Sequence, residues 1–112
     1  MVWEPLHKGW FSNRVDDLLK EFHVTRVAAD PACGPPAGRP GGFESLAYFR
    51  LHGAPRRYYS AYSDDFLDAL SAQVTSLALR ARVWCVFDNT ASGAAIQNAL
   101  ALSAKLRQEL VR

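Results

Sequence analysis

Four short strand-like runs, at 2–7, 23–29, 46–52 and 82–87, alternate with three stripes of apolar residues at helical spacing. Nothing else in the sequence constrains the fold as much. Strands joined through helices return to the same end of a sheet, so neighbouring strands run parallel and the class is α/β. The first helix is predicted over 13–22, with Ser12 as its N-cap and Val15, Leu18, Leu19 and Phe22 on one face. The second begins at Ser63, where Asp64 and Asp65 complement the helix dipole, and it buries Phe66, Leu67, Leu70, Val74 and Leu77 before ending near Arg80. The third is predicted over 92–110, capped by Ser92, with Ile96, Ala99, Leu100, Leu106 and Leu110 as its apolar positions.

Only the second strand lacks a following helix. It stops at Asp30-Pro31, and four of the six prolines and four of the seven glycines fall between residues 31 and 45. Proline removes a donor and glycine costs backbone entropy, so that segment reads as a long loop within a single domain, 1–112. The strand at 46–52 sorts its side chains cleanly. Leu46, Tyr48, Arg50 and His52 share one side, and Ala47, Phe49 and Leu51 share the other.

Composition excludes several classes. With 49% hydrophobic residues among 112, disorder is excluded as the main state. No apolar run approaches the roughly 20 residues that span a bilayer, and the first residues lack a signal-peptide pattern, so a cytoplasmic chain without membrane contact is expected. Thirteen Lys and Arg against eleven Asp and Glu, scattered along the chain, advertise no nucleic-acid stripe. Cys33 and Cys85 form neither a disulfide framework nor a CxxC pair.

Particular strings carry more than the pattern does. Glu4-Pro5-Leu6-His7 with Trp10-Phe11, Val27-Ala28-Ala29-Asp30, Tyr48-Phe49-Arg50-Leu51-His52-Gly53, Tyr58-Tyr59-Ser60-Ala61-Tyr62-Ser63-Asp64, and Val86-Phe87-Asp88-Asn89-Thr90 with Gly93, Asn98 and Ala99 follow one another in order. Together they resemble the C-terminal half of the domain of unknown function 72 family, also called YecE-like. The resemblance implies a partial (β/α)8 TIM-type barrel, with four parallel strands corresponding to family strands five to eight and three helices. A whole barrel takes about 250 residues. Leu6 stands where the family usually has Arg, which removes a charge from the expected polar interior and puts activity in doubt. The family supplies no reaction and no cofactor.

In such a barrel, chemistry gathers at the C-terminal strand ends. Those ends present Glu4, His7, Asp30, Arg50, His52, Asp88 and Asn89. His52, Arg50, Asp30 and Glu4 are the catalytic candidates: an acid–base imidazole, a guanidinium suited to anions, and two carboxylates. Each has a structural alternative, namely a turn-shaping histidine, an ion pair between Glu4 and Arg50 within one barrel layer, and an aspartate opening a turn before proline. His7, Trp10, Tyr59, Tyr62, Asp88, Asn89 and Gly93 are the substrate-binding candidates, although the tyrosines read more readily as rings packed on the barrel rim. His7, Asp30, His52 and Cys33 match no metal-ligand spacing, so no metal site is assigned.

Two functions compete on this reading. One is the remnant of a barrel enzyme with an anion- or phosphate-binding mouth, where Arg50→Ala costs more binding than Arg57→Ala. The other is a non-enzymatic half-barrel that homodimerises or pairs with a separate N-terminal half. A weak nucleic-acid interaction through the tyrosine loop ranks third. Neither Asn98 nor a cofactor receives a role.

Overall fold

The computed structural model describes residues 1–110; the side chain of Leu110, counted above in the last apolar stripe, lies outside the described residues. Strands β1 (Val2–Trp3), β2 (Thr25–Arg26), β3 (Ala28–Asp30), β4 (Gly41–Gly42), β5 (Leu46–Leu51) and β6 (Arg82–Phe87) are joined with helices α1 (Asn13–Glu21), α2 (Asp64–Leu77) and α3 (Ala94–Leu110). The fold is mixed α/β with three helices and two small sheets.

One sheet is fully parallel, in the order β3-β5-β6, with Ala29 opposite Arg50 and Arg50 opposite Val86. The other has the order β1-β2-β4, with β1 parallel to β2 and β2 antiparallel to β4. The single four-stranded parallel sheet expected from sequence is therefore corrected: the run at 23–29 is two strands meeting at Val27. Its first part pairs with β1, where Val27 N–H donates to the Trp3 carbonyl at 2.8 Å, and its second part pairs with β5. The first strand is also shorter than expected. Pro5 has no N–H for a ladder, and the His7 ring accepts from Gly9 N–H at 3.0 Å to start a 3-10 turn over Lys8–Trp10.

The helices form where capping chemistry starts them. Ser12 Oγ accepts from Val15 N–H at 3.2 Å, and Ser63 Oγ from Phe66 N–H at 3.1 Å. Ser92 does not cap α3. Its hydroxyl donates instead to the Tyr59 carbonyl at 2.6 Å, and the helix starts at Ala94.

Helices α2 and α3 pack on each other and on β6, so Ala28, Ala47, Phe49, Leu51, Leu67, Leu70, Val74 and Leu102 close one core on the helix side of the sheet. Cys85 and Phe87 face this core, while Tyr48 and Trp84, paired in register, lie on the opposite side, with Trp84 55% exposed. In α3 the buried face is Ala95, Asn98 and Leu102, and the predicted Ile96, Ala99 and Leu100 are exposed.

The proline- and glycine-rich segment holds no α-helix, only a 3-10 turn over Pro35–Gly38. It is fastened by Arg26, a buried cation whose Nη2 donates to the Pro36 and Arg39 carbonyls at 2.9 and 3.1 Å. The Arg26 guanidinium also lies over the Phe11 ring and 3.9 Å from Asp16, and burial lowers its pKa. Asp16 in turn accepts from Gly42 N–H at 2.6 Å.

Candidate functional site

The ladder hydrogen bonds continue past the strand ends and fix what comes next. His52 N–H donates to the Asp30 carbonyl at 2.8 Å and Asp88 N–H to the Leu51 carbonyl at 3.0 Å. That register sets His52 beside Asp88 on the face away from the helices, one step beyond Arg50 and Val86. Glu4 follows β1, two strands over. On the strand between, the residue paired with Arg50 is Ala29, whose methyl leaves Glu4 room to reach across.

Glu4, Arg50, His52 and Asp88 close a ring. Arg50 Nη1 donates to Glu4 Oε1 at 3.3 Å and Nη2 to Asp88 Oδ2 at 3.1 Å. His52 Nε2 lies 2.9 Å from Glu4 Oε2. Its Nδ1 lies 2.8 Å from both carboxylate oxygens of Asp88, in hydrogen-bond alignment with Oδ2. His52 is 2% exposed and the Arg50 side chain 42% exposed, so the imidazole is the floor of the cluster and the guanidinium its solvent side. Carboxylates only accept when ionised, and an imidazole donates from both nitrogens only when protonated. The expected Glu4–Arg50 pair is present, and each Nη of Arg50 is taken by a carboxylate.

A second polar cluster supports the first from the helix side. Gly53, at φ +99, follows His52, and a Cβ there would meet the Ser60 and Arg56 carbonyls and Asn89 Cβ at 3.2 Å. Gly53 N–H donates to Tyr62 Oη at 2.8 Å, and Tyr62 Oη donates to the Asp30 carbonyl at 3.3 Å. Burial raises the Tyr62 pKa far above its usual value, so this hydroxyl keeps its proton. Asn98 Oδ1 accepts from Tyr62 N–H at 3.0 Å and from Asn89 Nδ2 at 2.9 Å, and Asn98 Nδ2 donates to the Tyr62 carbonyl at 3.3 Å. Asn89 Nδ2 also reaches the Ser60 carbonyl at 3.0 Å. Tyr62 and Asn89, read from sequence as substrate contacts, are buried in this scaffold.

The remaining candidates lie apart from the ring. Asp30 shares the helix side with Ala28 and sits near Tyr62 and Phe66. His7 is spent on the turn at Gly9, and Trp10 meets Trp3 edge to face at 5.2 Å. Tyr59 lies under the Arg56 guanidinium at 3.9 Å, and Gly93 is exposed at φ +80. Tyr58 is the residue that sequence reasoning left out of the site. Its ring meets His52 edge to face at 5.9 Å, and its backbone has φ +68, which aromatic residues seldom adopt.

Among the described residues, no three His, Cys, Asp or Glu side chains are grouped to hold a metal ion, because His52 stands between the two carboxylates with both nitrogens engaged. A cavity of about 240 Å³ lies at the other end of the sheet, near Leu46, and its Lys20 is paired with Asp16 and Glu44.

The family model described as "Protein of unknown function DUF72" matches residues 1–112. The chain belongs to the DUF72 family. A DUF72 family protein from Enterococcus faecalis V583 superposes with a TM-score of 0.80 at 23% identity, over 95% of this chain and 46% of that one. A DUF72 family protein from Thermotoga maritima MSB8 gives 0.75 at 24%, over 99% of this chain and 46% of that one. This DUF72 chain thus spans under half the length of these solved relatives, and at such identity the likeness is one of fold. No curated protein matches the sequence. No helix among the described residues is long and apolar enough to cross a membrane.

Proposed function

We propose that this chain carries half of a barrel-type small-molecule active site, in which Glu4 and Asp88 exchange a proton with substrate and pass it through His52. The observation that supports this is the buried imidazole with a carboxylate on each ring nitrogen, the two carboxylates coming from different strand ends. With one proton on the ring, one nitrogen accepts from a protonated carboxyl group while the other donates to the opposite carboxylate, so a proton taken up at Glu4 can leave at Asp88, the geometry general acid–base catalysis needs. Arg50 is then a positioning residue that holds both carboxylates in place.

The test is a titration of the isotopically labelled chain with phosphate, simple phosphoesters and short carboxylates, followed by turnover assays on whatever binds. Saturable shifts at the amides of Arg50, His52 and Asp88 are expected, with His52→Gln lowering turnover by about 100-fold or more while binding persists. No saturable shift at these amides with any compound contradicts the reading.

A second reading, a half-barrel that pairs with another half, is favoured by Trp84 on the face opposite the helices and by Ile96 and Leu100 on α3, exposed by 73% and 66%. Strands β1 and β6 each have one unpaired edge in their sheets. Edges and apolar faces of this kind invite association. Light scattering at micromolar concentration is expected to give a dimer or larger species, and a cooperatively melting monomer argues against pairing.

A further inference from the structure

A cavity of about 140 Å³ adjoins the polar ring on its Glu4 side, and the ring does not use it. Its walls are mostly apolar, from residues such as Phe11, Val27 and Ala29, and Glu4, Cys33 and Arg57 also line it. The volume corresponds to four or five waters at about 30 Å³ each, the size of a molecule with a handful of heavy atoms.

Of the arginines at positions 50, 56 and 57, only Arg57 lines this cavity. Arg50 is bound on both terminal nitrogens by Glu4 and Asp88, and Arg56 stacks on Tyr59. Arg57 has no carboxylate partner among the described residues and rests 5.5 Å over the Tyr58 ring. Tyr58 is held in its left-handed backbone conformation from both sides, since its N–H donates to the His52 carbonyl and its carbonyl accepts from Ala91 N–H at 3.0 Å. Strained residues fixed in this way cluster where a side chain must be aimed. Here the consequence is that Arg57 is presented to the cavity from the same turn that touches His52.

We propose that this cavity binds a short aliphatic carboxylate, with the carboxylate group on Arg57 and the hydrocarbon body against Phe11, Val27 and Ala29. Glu4, already paired with Arg50 and His52, keeps the negative end away from its own side, so the ligand lies with its body toward the ring. Arg57 thus takes the anion-binding role that sequence alone gives to Arg50. As a substrate pocket the proposal rests on the Glu4–His52–Asp88 reading; as a binding site it rests on the cavity and Arg57.

Cys33 provides the readout. Burial pushes the Cys85 thiol up to about 11, so Cys33 is the site that an alkylating reagent attacks first near neutral pH. Propionate should slow alkylation of Cys33 saturably, with half-protection on the order of millimolar for so small a ligand. Arg57→Gln should weaken that protection about tenfold, and Ala32→Leu, which narrows the cavity from an exposed position, should abolish it. Asp88→Asn, at a residue that neither lines the cavity nor touches Glu4, should leave it unchanged, so loss of turnover without loss of protection separates the relay from the pocket. Absence of protection at tens of millimolar propionate, or equal protection in wild type and Arg57→Gln, overturns the proposal.

Discussion

Replacing Asn98 by alanine should lower the midpoint of thermal unfolding by roughly 12 °C or more, one of the two largest losses expected from single polar substitutions in the chain. The amide sits on the buried face of α3 and satisfies the Tyr62 N–H, the Tyr62 carbonyl and one Asn89 N–H. Alanine leaves all three without partners in a dry region, and each such orphan costs about 1–3 kcal/mol. Allowing for relaxation, the total is about 3 kcal/mol, and a domain of this size loses roughly 4–8 °C for each. The damage should also travel. Tyr62 holds Gly53 N–H, so freeing Tyr62 loosens the turn behind His52, and the His52 amide should shift even though Asn98 does not touch the ring. A drop below 3 °C, measured by circular dichroism, contradicts the role given to Asn98.

Substituting His52 by leucine should cost about 3 kcal/mol, for a different reason. The side chain is fully enclosed, and its loss leaves Glu4 and Asp88 sharing the single charge of Arg50 in a partly buried site. Breaking such an arrangement from one side costs more than the net worth of the pair, because the uncompensated charge stays behind. Removing one carboxylate should therefore return part of the loss: His52→Leu with Asp88→Asn is expected to be more stable than His52→Leu alone. Additive costs in urea denaturation of the single and double variants show that the two residues are not coupled.

Much of this was legible in the residues. Helices predicted at 13–22, 63–80 and 92–110 form at Asn13–Glu21, Asp64–Leu77 and Ala94–Leu110, because the caps at Ser12 and Ser63 and the helical spacing of apolar residues are local signals. The strand at 82–87 is matched to the residue, and the alternation at 46–52 set Arg50 and His52 on one face. What failed was non-local. Alanine is so common in α3 that its apolar pattern fits two faces, and the buried one contains Asn98, a polar residue placed there by the backbone of Tyr62 far away in sequence. The division of the second strand at Val27 depends on which neighbour each half meets, and no pattern within 23–29 records that. Tyr58 escaped because a positive φ leaves no mark on side-chain periodicity.

Glu4, Arg50, His52 and Asp88 stand or fall together as one closed ring. Long-range proton–nitrogen spectra of the three imidazoles in the intact chain test it most directly, since His7 and His23 are exposed and His52 is not. Two distinct His52 ring-nitrogen shifts are expected, with a downfield ring N–H that exchanges slowly with water, the Nε2 shift disturbed selectively by Glu4→Gln and the Nδ1 shift by Asp88→Asn. A single averaged His52 signal, exchanging as fast as those of His7 and His23 and indifferent to both substitutions, would contradict it.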